Sequence, residues 1–346
     1  MRLLSIVFVV WLATFTPARA HVGNNALQSV VPHDFNGVVF HAENRADVGH
    51  FSGFGLPDFK NTRKFDVNTR FQVGSVSKFF TALIVLRFVD KQQLDLDAPI
   101  VRYLDGLPKQ TGDVVTIRHL LSNASGIPDG ATAALRLDSS LRQSSINAQD
   151  AYLKWAQAPL AFKPGEGWDY SVTNWILIRA LLERASKISF EALVNRELIE
   201  PLGLANTGLP AASFPFSDLD AKNYSSSEPR QEQQSIIPKF AAASGSFYSC
   251  VADIRTIMDA LRNTQYLSTS SLQQLSTVNV ASENYALGGR VVLENNQATF
   301  WTPGKTANYR SLIAYRLSDG KFTVVLNNVG LDQSVLTTIV RSLRDN

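Results

Sequence analysis

The 346-residue chain is 45% hydrophobic and 18% charged, with 20 glycines, 14 prolines and a single cysteine. That balance excludes a disordered chain, a collagen-like repeat and a disulfide scaffold. The net charge is +3, and with no Lys/Arg-rich block the chain lacks the clustered basic face that nucleic-acid binding requires.

Arg2, the apolar stretch Leu3 to Phe15 and the small-x-small triplet Ala18-Arg19-Ala20 predict a secretory signal over residues 1–20, with His21 as the mature start. The apolar stretch is 13 residues, short of the ~20 needed to span a bilayer. The expectation is therefore an exported protein, periplasmic or secreted, with no stable membrane span. Removing Arg2 and Arg19 from 33 basic residues, against 30 acidic ones, leaves a net charge of +1. The residue directly after the cleavage site is His21, not cysteine, which argues against a lipoprotein, and Cys250 alone cannot form an internal disulfide.

Gly37 to His41 and Gly49 to Gly55 read as a hairpin with its turn at residues 43–47. Phe71 to Gly74 is extended and leads into Ser75. From there Phe79, Phe80, Leu83, Ile84, Leu86 and Val89 follow helical spacing with nearly every face apolar, the mark of a helix at the centre of a domain. Helices are predicted at Thr116 to Leu121, Trp175 to Ala185, from Ser189 to a stop at Pro201, and at Val251 to Leu261. Residues 210–244 have no clear period and read as a long surface loop. Strands follow at Tyr285 to Glu294, Ala298 to Trp301, Tyr309 to Arg316 and Phe322 to Asn327, then a closing helix at Leu331 to Leu343.

Strands at both ends with helices between them predict an α+β fold: an antiparallel sheet flanked by helices and built from both chain ends. The predicted division is a signal at 1–20, an α/β domain from 21–95 with 245–346, and an inserted all-α lobe at 96–244. A ligand site between the two is expected.

Ser75-Val76-Ser77-Lys78 is the strongest chemical signal. Residues i and i+3 share a helix face, so the Ser75 hydroxyl and the Lys78 amine can touch. At the first turn the hydroxyl also meets unpaired backbone N–H groups and the positive end of the helix dipole. An amine taken out of water gives up its proton more readily and can act as a base. The spacing recurs at Ser318 to Lys321, in a predicted hairpin turn. Only Ser75 opens a buried helix. The competing structural role for Ser75 is a helix cap, with Lys78 snorkelling to solvent.

The segment Phe71 to Ala82 resembles the nucleophile segment of the serine β-lactamase superfamily, in the branch of class C β-lactamases, esterases and D-amino-acid peptidases. Ile117 to Ile127, Phe162-Lys163-Pro164-Gly165 with Tyr170-Ser171, Glu200 to Leu204 and Tyr285-Ala286-Leu287-Gly288 keep the family's order and approximate spacing. The resemblance implies an α/β sandwich with an inserted helical lobe, an acyl-enzyme on Ser75, Lys78 as its activator and no cofactor or metal. It places Tyr170 on the tyrosine of the family's Y-x-N motif, close to Ser75 and Lys78, where a phenol can pass a proton. It also places Ser125 in a loop near the site.

Two motifs depart from the family. The position of the motif's asparagine, which orients the lysine and a substrate amide, is Val172, a residue with no polar side-chain atom; Asn174 lies two residues on. The Lys/His-Thr-Gly strand motif, counted back from Arg310-Ser311-Leu312 without a gap, falls on Thr302-Pro303-Gly304. Lys305-Thr306-Ala307 looks more similar but requires a three-residue deletion. On the ungapped placement the oxyanion donors are the backbone N–H groups of Ser75 and Lys305, and the substrate faces Ser125, Val172, Thr302, Gly304 and Lys305.

Without the cation and hydroxyl that hold a carboxylate, and without the asparagine, the expectation is an esterase-like or relaxed hydrolase acting on a small ester or amide. The alternatives are a degenerate family member that binds a cell-wall fragment or protein partner, and a β-lactamase or D-alanyl peptidase/transpeptidase. The five histidines lack zinc-site spacing, and no G-x-S-x-G elbow surrounds Ser75.

Overall fold

The computed structural model describes residues 30–344 except 227, 228, 263 and 295. The predicted signal at 1–20 lies outside the described residues. No helix among the described residues is long and apolar enough to cross a membrane.

A six-stranded antiparallel sheet carries the fold, in the order β2-β1-β10-β9-β8-β7. Its strands are β1 (Gly37–Ala42), β2 (His50–Phe54), β7 (Arg290–Glu294), β8 (Gln297–Thr306), β9 (Tyr309–Arg316) and β10 (Phe322–Asn327). The first and last strands lie side by side, with Gly37 opposite Asn327 and Ala42 opposite Phe322. Both are buried along their whole length, as expected of central strands. Two further two-residue pairings complete the strands among the described residues: β3 (Phe71–Gln72) with β6 (Tyr248–Ser249), and β4 (Asn223–Tyr224) with β5 (Glu232–Gln233).

Among the described residues, four helices have twelve or more residues: α1 (Val76–Asp90), α2 (Val172–Ser186), α3 (Val251–Arg262) and α4 (Gln333–Arg344). Helix α1 is buried on every side from Val76 to Leu86. It presents Phe79 to Phe300 of β8, with ring centroids 5.3 Å apart, and Phe80 to Phe247, 5.5 Å apart. Its apolar circumference thus reflects a central helix packed on the sheet on one side and on other helical segments on the other. Helix α4 covers the opposite sheet face, where Leu336, Ile339 and Val340 pack with Val39, Leu312 and Val325.

Three sequence-based boundaries move. Strand β8 does not stop at Trp301 but runs to Thr306. Strand β7 pairs with it only as far as Trp301, so Pro303 falls beyond that neighbour and its missing N–H interrupts no ladder on that side. The strand predicted from Tyr285 begins at Arg290. Helical structure continues through Pro201, which sits in the first turn of Glu200–Leu202, where proline is tolerated.

Candidate active site

Ser75 stands at the junction where β3 ends and α1 begins. Gly74 makes the turn with φ +53°, a conformation that favours glycine. Ser75 is the N-cap residue, yet its side chain makes no capping bond. The N–H groups of Val76, Ser77 and Lys78 donate to the carbonyls of Val73, Gly74 and Ser75. The Ser75 hydroxyl is therefore left to other partners, and the structure supplies two. Lys78 Nζ lies 3.3 Å from Oγ and Tyr170 OH lies 2.6 Å from it.

Lys78 is 2% exposed, so it does not snorkel. Its Nζ donates to the Ser244 carbonyl at 2.7 Å and lies over the rings of Tyr170 and Trp175, 4.7 and 5.8 Å from their centroids. No carboxylate pairs with it among the described residues. The amine is thus held by a neutral carbonyl and two aromatic faces, which fix its direction. The Ser244 carbonyl had no signal in the sequence, because any residue type can supply it.

Tyr170 precedes α2 by two residues and is 39% exposed. Its ring packs on Trp168, which in turn packs on Tyr285, with centroid distances of 6.0 and 5.7 Å. Burial, and then the neighbouring Tyr170, hold the Tyr285 phenol well above the ordinary tyrosine range, so it stays neutral beside the site. Arg290 lies over the rings of both Trp168 and Tyr285. Gly288, in the segment that joins Tyr285 to β7, closes on α1, where a Cβ would stand 2.6 Å from the Lys78 carbonyl oxygen.

Strand β8 approaches from the other side. A Cβ on Gly74 would stand 2.7 Å from the Lys305 backbone nitrogen, and one on Gly304 would stand 2.0 Å from the Val73 carbonyl oxygen. Ser311 Oγ donates to that same carbonyl at 2.8 Å. Gly304 is opposite Ser311 and Lys305 opposite Arg310. The backbone of Lys305 therefore lies against the residue before Ser75, at the level of the ungapped motif count. Thr306 already pairs across the hairpin with Tyr309, which leaves Lys305-Thr306-Ala307 at the strand's end.

The other residues expected at the site divide. Thr302 is 2% exposed, and its hydroxyl has no partner among the described residues. The Lys305 side chain is exposed. Val172 opens α2, donates its N–H to Asp129 at 3.0 Å and packs on the main core. Ser125 is not offered to a substrate: it is buried, donates to Asn174 Oδ1 at 2.7 Å and accepts from the Ile127 N–H. Asn174 does not replace the missing asparagine, since its carboxamide is directed to Ser125 and Asn123.

In this fold a serine, a buried lysine and a tyrosine converge on one oxygen, the kind of arrangement in which a hydroxyl can be activated as a nucleophile. The Beta-lactamase family model matches residues 24–335, and the chain belongs to that family. It is similar to penicillin-binding protein 4* of Bacillus subtilis (strain 168), at 35% identity over 51% of this chain and 38% of that protein. It is also similar to esterase EstB of Burkholderia gladioli, at 34% identity over 46% of this chain and 43% of that one. These matches span less than half the length of either curated relative. Among solved structures, the penicillin binding protein from Bacillus halodurans superposes with a TM-score of 0.81 at 22% identity, covering 93% of this chain and 100% of that one, a likeness of fold.

Proposed function

We propose that the protein is an exported serine hydrolase that forms an acyl-enzyme on Ser75 and prefers esters to β-lactams. The observation that carries this reading is the Ser75 oxygen with Lys78 Nζ at 3.3 Å and Tyr170 OH at 2.6 Å. Lys78, as the amine, takes the Ser75 proton as Oγ attacks the ester carbonyl. The developing oxyanion accepts from the N–H groups of Ser75 and Lys305, each worth about 3 kcal/mol of barrier. Tyr170 delivers a proton to the departing alkoxide, and water then cleaves the acyl-enzyme by the same groups in reverse. The site would lie between an α/β unit (21–95 with 245–346) and a helical insertion (96–244).

Preference for esters follows from what the site lacks. Val172 and Thr302-Pro303-Gly304 supply no carboxamide and no cation, and esters need less assistance because an alkoxide leaves more readily than an amide anion, which must be protonated first. Support for the class comes from EstB and penicillin-binding protein 4*, whose names describe an esterase and a penicillin binder.

The test is a kinetic comparison of p-nitrophenyl butyrate, nitrocefin and a D-alanyl peptide on the purified protein. kcat/KM for the ester is expected to exceed that for nitrocefin by at least about 100-fold. Fast nitrocefin turnover without esterase activity contradicts the ester preference. No Ser75-dependent turnover of any of the three favours a binding role.

A further inference from the structure

Tyr170 holds its hydroxyl 2.6 Å from Ser75 Oγ although much of the residue faces solvent. Its ring packs on Trp168, and nothing encloses it as the core encloses Lys78. A side chain so placed keeps a reacting distance only if the main chain beneath it is fixed.

The main chain on both sides of Tyr170 is tied to one residue. The Asp169 N–H donates to the Asn123 carbonyl at 3.0 Å, and the Ser171 N–H donates to Asn123 Oδ1 at 3.5 Å. Asn123 therefore brackets Tyr170, with its backbone on one side and its carboxamide on the other. It does so from a left-handed turn, φ +57°, which asparagine tolerates better than most residues. It is also fully buried. Two donors from α2 steady the carboxamide: Trp175 Nε1 at 3.3 Å and Asn174 Nδ2 at 3.4 Å from the same Oδ1. Three donors meeting on one oxygen settle which way round the amide lies. Asn174 is itself held by the Ser125 hydroxyl at 2.7 Å. Each bond to Oδ1 is long, but they converge in a buried setting where water does not compete for them.

We propose that Asn123 is a positioning residue for Tyr170, fixing its main chain so that the phenol reaches Ser75 Oγ. The inference rests on the hydrolase reading above and extends it to a residue outside the serine, lysine and tyrosine. Asn123 is sealed from solvent, so it acts through Tyr170 and not on the substrate. It also gives Ser125 and Asn174 a place in the site: they support the support of the tyrosine.

The test is a double-mutant cycle on p-nitrophenyl butyrate hydrolysis. Asn123→Gly keeps the left-handed turn and the backbone carbonyl but removes Oδ1. Because Tyr170 serves acylation and deacylation alike, this variant is expected to lower kcat by at least about tenfold, with KM within about twofold of wild type. In a Tyr170→Phe background no phenol remains to be aimed, and the same change is expected to cost less than about threefold. Asn123→Asp returns Oδ1 to the same turn and is expected to bring kcat to within about threefold of wild type. A smaller loss in Asn123→Gly, or an equal loss with and without the Tyr170 hydroxyl, overturns the proposal; the second result is that of a residue that only holds the fold. If thermal unfolding shows that Asn123→Gly does not fold, Asn123→Asp carries the test: kcat within about threefold of wild type upholds the proposal and a larger loss overturns it. Labelling of wild-type Ser75 by a fluorophosphonate is measured alongside. A labelled Ser75 with a failed cycle sinks the positioning role alone, and absence of labelling sinks the hydrolase reading with it.

Discussion

Lys78→Met is expected to lower kcat/KM for p-nitrophenyl butyrate by about 10⁴-fold or more, with Tm unchanged or raised. The amine sits 3.3 Å from Ser75 Oγ in a pocket formed by a backbone carbonyl and two aromatic rings. Methionine fills that volume and removes the amine that touches the hydroxyl. Losing one member of a nucleophile–base unit typically costs most of the unit's effect. Replacing a buried amine with an apolar group also relieves desolvation, so the variant separates chemistry from folding. Tyr170→Phe, which removes a proton carrier but leaves nucleophile and base in place, is expected to cost less, about 10²–10⁴-fold. Activity of Lys78→Met within tenfold of wild type, measured by initial rates alongside thermal unfolding, would show that another group deprotonates Ser75.

Gly304→Ala carries the second large expected effect. Its Cβ would stand 2.0 Å from the Val73 carbonyl oxygen and 2.2 Å from Ser311 Oγ, so either β8 moves or the segment leading to Ser75 does. Both carry a proposed oxyanion donor: Lys305 follows Gly304 on one and Ser75 follows Val73-Gly74 on the other. Overpacking of this kind costs about 1–3 kcal/mol of stability. A displacement near 1 Å at reacting groups costs about 100-fold in rate. The expectation is a lowered Tm and a kcat/KM reduced by at least about 100-fold at temperatures where the variant is still folded. Near-normal turnover would mean that the spacing between these two backbones does not matter to the reaction.

Local signals carried much of the fold. The first hairpin agrees with the sequence reading to within a residue because a polar turn separates two short runs of strand-forming residues. Helix α1 agrees because an apolar run of that length at helical spacing can only be buried. Strand β8 was read five residues short because Pro303 and Gly304 look like a break; what rescues them is the end of β7 and the approach of Val73, both tertiary facts. Thr269–Ser276 is a helix that no apolar period announced, since it is rich in Ser and Gln and carries few apolar residues. Within the site, Ser75, Lys78 and Tyr170 converge as their motif positions suggested, whereas Ser125 turned inward to Asn174, a contact 49 positions along the chain. The burial of Gln72 has no local signal, because a polar residue in alternation with Phe71 is what a half-exposed strand would show.

The central claim is that the Ser75 hydroxyl becomes covalently acylated. Intact-protein mass spectrometry with peptide mapping, after brief incubation with a slowly deacylated ester or a fluorophosphonate, tests it most directly. The expected result is a single adduct of one acyl or phosphonyl group on the peptide containing Ser75, and none on Ser75→Ala. An unmodified Ser75 in a protein that still turns over esters, or an adduct on any other residue, would contradict it.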